Sequence, residues 1–121
     1  MNLRDIMQYK VFAVVGNTIQ EEKYAYKIKN ELIKKGYIAY GVGKEFESLN
    51  DVNDEIDIID LCINPVKGLQ LIKECNKSFR CIVIQPGAES DELLEYLKQN
   101  KIEFIEGCLL VGMSLYQKNN E

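Results

Sequence analysis

Residues 11–27, VFAVVGNTIQEEKYAYK, decide how the rest of the chain is read. The run 11–15 is apolar and rich in β-branched residues, as a buried strand requires, and it stops at the lone Gly16. Apolar residues then recur at helical spacing: Ala25, Ile28 and Leu32 share one face, while Lys27, Lys34 and Lys35 lie off it. Gly36 follows as a C-terminal stop. The spacing predicts a strand over 10–16 and a helix over 21–35, the first half of a βαβ unit.

The same alternation continues. Strands are expected over 37–42 (YIAYGV), 57–63 (DIIDLCI), 81–85 (CIVIQ) and 102–106 (IEFIE). Helices are expected over 66–78 and 91–99, with at most a short helical turn near 48–52. Ser90 is the expected N-cap of the 91–99 helix, and Asp91 and Glu92 suit its first turn. The apolar stretch 107–116 packs, and the tail 117–121 is expected to fray. Strands alternating with helices imply a parallel sheet covered on both faces. Right-handed crossovers leave few topologies. The expected fold is α/β: a doubly wound, mainly parallel, five-stranded Rossmann-like sheet in the order 3-2-1-4-5. With 121 residues and no linker or repeat, it is expected to form a single domain, residues 1–121.

Composition limits function. An apolar fraction of 46% and a charged fraction of 28% suit a soluble globular chain. A net charge of −4 gives no general nucleic-acid footprint. No segment reaches the ~20 apolar residues of a membrane span, and 11–16 is too short for a signal-peptide core; a cytoplasmic protein is expected. There is no histidine, so the commonest metal ligand and the commonest proton-transfer group are missing. Cys62, Cys75, Cys81 and Cys108 form no C-x-x-C pair. No metal site and no catalytic constellation are expected.

In an open α/β sheet, ligands sit outside the carboxyl ends of the strands, where the winding reverses. In the order 3-2-1-4-5 that point lies between strands one and four. The loops there are 16–22, 43–47, 64–67, 85–90 and the segment after 106. In the first, Gly16 allows close backbone approach, Asn17 and Thr18 supply donors, and Lys23 stands at the helix start, where orphan amides bind anions. Neither G-x-G-x-x-G nor G-x-x-x-x-G-K-[ST] is present, so dinucleotide and Walker-type readings lose support. From spacing alone, an anion loop and an ordinary βα turn both stay open. Gly43 and Lys44 place a cation at the same edge. Asn64 and Pro65 form a β-to-α turn, and Gln85 and Gly87 form another.

Taken together, AVVGNT with Lys23 and Tyr26, GYIAYGVGK, ESL, DIIDLCINP, CIVIQPGAES and FIEGCLLVGMSLY resemble the CoA-binding domain in its small stand-alone bacterial form. More distantly, they resemble the CoA-binding N-terminal domain of the succinyl-CoA synthetase alpha subunit. The resemblance covers about residues 8–116. It implies coenzyme A or an acyl-CoA as ligand. Gly16, Asn17, Thr18 and Lys23 would lie near the phosphates, and Gly43 and Lys44 on the adenosine side. Ile63, Asn64, Pro65, Gln85 and Gly87 would border the remainder. The chain departs from the family at Thr18, where serine is frequent, at Gly43-Lys44, where Asn-Pro is frequent, and at Gly107, where arginine is frequent.

The reading that follows is a non-catalytic module for a small-molecule CoA ligand, with no nucleic-acid or membrane partner. Two alternatives stand beside it. One is an acyl-CoA-linked enzyme subunit that needs a partner chain. The other is a thiol-based redox regulator acting through Cys108, which falls just past strand five. A homodimer is compatible with the sequence, and no helix face specifies one.

Overall fold

A computed structural model describes residues 1–116; the expected fraying of 117–121 lies outside the described residues. In chain order the elements are α1 (Leu3–Ile6), β1 (Val11–Gly16), α2 (Tyr24–Lys34), β2 (Ile38–Gly43), a 3-10 turn (Leu49–Asp51), β3 (Ile58–Cys62), α3 (Pro65–Glu74), β4 (Cys81–Ile84), α4 (Asp91–Gln99), β5 (Phe104–Glu106) and α5 (Leu109–Leu115). All strand pairs are parallel. The doubly wound α/β class is as the alternation of elements requires.

The strand order is corrected: the five-stranded sheet runs β2-β1-β3-β4-β5, not 3-2-1-4-5. The reason is burial. Ile58, Ile59, Asp60 and Leu61 of β3 are all fully buried, whereas Ile38 on β2 is 37% exposed. A strand shielded on both faces belongs inside a parallel sheet, and the more open strand takes the edge. β3 therefore pairs with β1 on one side and β4 on the other. The winding reverses between β1 and β3, not between strands one and four, and that moves the expected crevice.

Alternation along the strands builds two layers. Ala13, Val15, Ile59, Leu61, Ile82 and Ile84 face Leu71, Ile72, Leu93 and Leu97 of α3 and α4. Phe12, Val14, Ile58, Cys81 and Val83 face Ile6 and Met7, Ala25, Ile28 and Leu32 of α2, and Leu109 and Met113 of α5.

Element ends follow local chemistry. α2 begins at Tyr24 rather than at 21, because Asn17 Oδ1 accepts the amides of Ile19 and Gln20, both at 3.1 Å, and holds a turn there. α3 begins at Pro65 behind the Asn64 N-cap. It stops at Glu74 rather than at 78, because Asn50 Nδ2 takes the Glu74 carbonyl and Asn50 Oδ1 takes the Asn76 amide. α4 covers 91–99 as expected, with Ser90 Oγ accepting from the Leu93 amide at 3.1 Å.

Candidate functional site

Gly16, Cys62 and Gln85 form a row across the carboxyl ends of the central strands. Gly16 is the register partner of Cys62. Leu61 pairs with Ile84, so Cys62 and Gln85 stand side by side one residue further on. The row needs a glycine at its head: a Cβ at Gly16 would strike the Cys62 carbonyl oxygen and come within 2.9 Å of Ala25 Cβ. The missing side chain lets the start of α2 settle directly onto the β1–β3 junction.

Above this row lies a cleft of about 280 Å³. Of the eleven residues expected at a ligand, the structure brings together Asn17, Lys23, Ile63, Asn64, Gln85 and Gly87 around it. Gly16 lies beneath, as packing. Thr18 is turned away: it is 4% exposed, and its hydroxyl donates to Glu45 Oε2 at 2.5 Å. Lys29 closes on the same carboxylate at 2.8 and 2.9 Å. Burial pushes the Glu45 pKa up, but the Lys29 ammonium and the Thr18 hydroxyl outweigh it, and the net shift is downward. Gly43, at φ +122°, pairs with Gly16 and turns the chain back so that its amide donates to the Phe46 carbonyl at 2.6 Å. Lys44 is exposed on that turn, outside the cleft lining. Pro65 serves as the first residue of α3. Cys108 is the N-cap of α5, half-buried, and is likewise not part of the lining.

The cleft is a wall of donors. The start of α2 has no side-chain cap and no acid in its first turn, and Lys23 occupies the N-cap position. Its first-turn amides and its dipole therefore face the cleft unanswered, next to an ammonium group that also favours an anion. Asn64 Oδ1 accepts the Lys67 amide at 2.9 Å. Gln85, only 5% exposed, accepts the Leu109 amide at 2.9 Å through Oε1.

Sequence reasoning passed over Tyr24, Ala25, Cys62, Pro86 and Ala88 in the lining, and Asp60 under it. Asp60 stands one pleat below Cys62, between Val14 and Val83. It is fully buried, and neither carboxyl oxygen has a hydrogen-bond partner. Burial holds its pKa well above the usual carboxylate range. Burial, with Asp60 and Cys108 nearby, pushes the Cys62 thiol up to about 12. Burial thus favours the protonated, neutral form of both groups, which works against negative charge in the floor. The signal for Cys62 was its register with Gly16, which becomes visible once β3 is placed beside β1.

A larger hollow, about 870 Å³, opens at the opposite end of the sheet along 53–57 and 76–80. Its cations are already engaged: Lys77 Nζ donates to the carbonyls of Val52 and Asp54, and Arg80 lies 3.6 Å from Asp57. It also sits at the amino ends of the strands, where this fold class does not place ligands. Among the described residues, no group of three or more His, Cys, Asp or Glu could hold a metal ion, and no helix is long and apolar enough to cross a membrane.

Known structures share this architecture. A conserved hypothetical protein from Pyrococcus furiosus is 28% identical, with a TM-score of 0.78 over 85% of this chain and 98% of its own. A hypothetical protein from Pyrococcus horikoshii, 21% identical, has a TM-score of 0.84 over 93% of this chain and 88% of its own. A Thermus thermophilus protein, 22% identical, has a TM-score of 0.79 over 95% of this chain and 98% of its own. At these identities the last two speak for the fold alone. No curated protein matches. The sequence model of the CoA binding domain matches residues 10–114, from the start of β1 into α5, and takes in every loop around the cleft. With most of its length so matched, and with its crevice at the switch point of the sheet, the chain belongs to the CoA binding domain family.

Proposed function

We propose that the chain is a non-catalytic module that binds coenzyme A or an acyl-CoA in the β1–β3 crevice. The observation that carries this reading is the unanswered start of α2: orphan amides and Lys23 stand over the cleft in a member of a CoA-binding family. The diphosphate lies against that helix start, between Asn17 and Lys23. Ile63, Asn64, Gln85 and Gly87 border the arm of the ligand. The exposed turn with Gly43 and Lys44 lies on the adenosine side. No histidine and no paired acid and base line the cleft, so binding rather than turnover is what these residues supply.

Thermal denaturation with CoA, NAD, ATP and AMP tests it. CoA at about 100 times its dissociation constant adds about 2.7 kcal/mol of stability. Lys23→Glu places an acid at the open start of α2, so it is expected to raise the stability of the unliganded chain by up to about 1 kcal/mol and to remove most of the CoA response. A response to NAD or ATP but not to CoA would sink the proposal.

A further inference from the structure

Gln85 is nearly buried, yet half of its carboxamide is idle. Its Oε1 is assigned by chemistry: the Leu109 N–H is a donor and accepts nothing, so the end of the amide 2.9 Å away must be the oxygen. The nitrogen end then points elsewhere. Among the described residues no partner meets Nε2, and it is not sealed in the core, because Gln85 lines the cleft. A carboxamide 5% exposed with an unused NH2 group leaves a donor that the fold itself does not satisfy. The same arrangement recurs at lower burial across the cleft, where Asn64 Oδ1 is held by the Lys67 amide.

The oxygen end has structural weight. α5 is seven residues long, and its own N-cap, Cys108, makes no side-chain capping bond. Gln85 supplies that cap from another strand. α5 in turn buries Leu109 and Met113 against the α2 side of the sheet.

We propose that Gln85 is a ligand-positioning residue whose Nε2 donates to an acceptor oxygen of the bound molecule, a carbonyl or phosphate oxygen, while Oε1 keeps hold of Leu109, so that filling the cleft tightens α5. The choice of CoA as probe rests on the function proposed above. A hydrogen bond at one end of an amide polarises the other end, and the cap on α5 strengthens when the cleft is filled.

Two substitutions in the full chain separate this role from a structural one. Gln85→Glu keeps an acceptor for Leu109 and loses the donor; Gln85→Met loses both. Calorimetry with CoA and hydrogen exchange at the Leu109 amide are the measurements. The wild type is expected to bind CoA and to slow Leu109 exchange several-fold when saturated. Gln85→Glu is expected to keep the cap on Leu109, to lose some stability to the burial of its carboxylate, and to bind CoA about ten- to a hundredfold more weakly. Gln85→Met adds no charge, so a loss of binding shared by both variants is not charge repulsion. Gln85→Met is expected to lose both stability and binding. Binding by Gln85→Glu within about threefold of wild type overturns the proposal, as does Leu109 exchange unmoved by saturating CoA. A wild type that does not bind CoA at all overturns the functional reading, and this one with it.

Discussion

Replacing Asp60 with asparagine should flatten the pH dependence of stability. Asp60 is fully buried on the central strand β3, and both carboxyl oxygens are without partners. Burial raises its pKa in the folded chain well above the ordinary value for an aspartate. Between the unfolded and folded values the native state holds a proton that the unfolded state has released, so stability falls as pH rises through that window. One proton corresponds to about 1.4 kcal/mol per pH unit. From pH 5 to pH 7, the wild type should therefore lose up to about 2.7 kcal/mol that Asp60→Asn keeps.

The comparison isolates one group. Cys62 and Cys108 are the titratable neighbours linked electrostatically to this spot. Cys62 is held protonated up to about 12, and an unfolded thiol titrates near 8.5, so the cysteines add little slope between pH 5 and 7. All other titrations are common to both proteins. The amide has its own unmet hydrogen bonds, but that is a constant offset and leaves the slope alone. Urea denaturation at half-unit pH steps gives the two curves. Parallel curves for wild type and variant would mean that Asp60 ionises normally in the fold, and the account of a neutral floor would be wrong.

Two further outcomes follow from local geometry. Gly16→Ala pushes a methyl group into the Cys62 carbonyl and the first turn of α2; a loss of about 1–3 kcal/mol in thermal denaturation is expected, and an unchanged melting temperature would contradict the packing described. Glu45→Gln weakens the tie to Lys29 and Thr18. Because the Glu45 pKa is lowered in the fold, its contribution is present above the unfolded value and lost as the pH falls through the folded one. A deficit under about 1 kcal/mol at pH 7 that closes in acid is expected, discounted because Glu45 is 34% exposed; denaturation at the two pH values checks it.

The class of fold was legible because strands and helices differ in period, and 11–35 and 81–99 display both periods cleanly. The strand order was not, since parallel neighbours are joined by long crossovers whose sequence does not name the partner strand. DIIDLCI held the clue: its apolar residues fall on both faces despite the acid at its centre, and its place beside β1 is what the burial of Ile58 to Leu61 records. The expected residues that line the cleft, Asn17, Lys23, Ile63, Asn64, Gln85 and Gly87, are those whose location follows from being at the end of any strand in this fold. Thr18 did not, because its hydroxyl found Glu45, 27 residues away in sequence, and a contact of that separation leaves no local trace. Tyr24 and Cys62 were missed for the same reason: one lines the cleft because Asn17 delays the helix, the other because Gly16 lies beside it.

An acidic chain with no glycine-rich loop can still hold a polyanion if one helix start is left open and the others are not. Asn2 and Asp5 close α1, and Ser48 and Asp51 close the 3-10 turn. Asn64 caps α3, Ser90 caps α4 in front of Asp91 and Glu92, and Gln85 serves α5. Among the described residues, α2 is the helix whose first amides receive neither a side-chain cap nor an acid, and it carries Lys23 where a cap would be. A capping side chain and an anion compete for the same N–H groups. Leaving α2 uncapped therefore lowers the stability of the empty chain by about 1 kcal/mol relative to a good N-cap, and it reserves those donors for whatever enters the crevice. Burial of Asp60 and Cys62 below works in the same direction, since it disfavours a negative charge under the crevice. On the function proposed above, selectivity for a negatively charged ligand would arise from where the fold withholds its own acceptors, rather than from an excess of basic side chains.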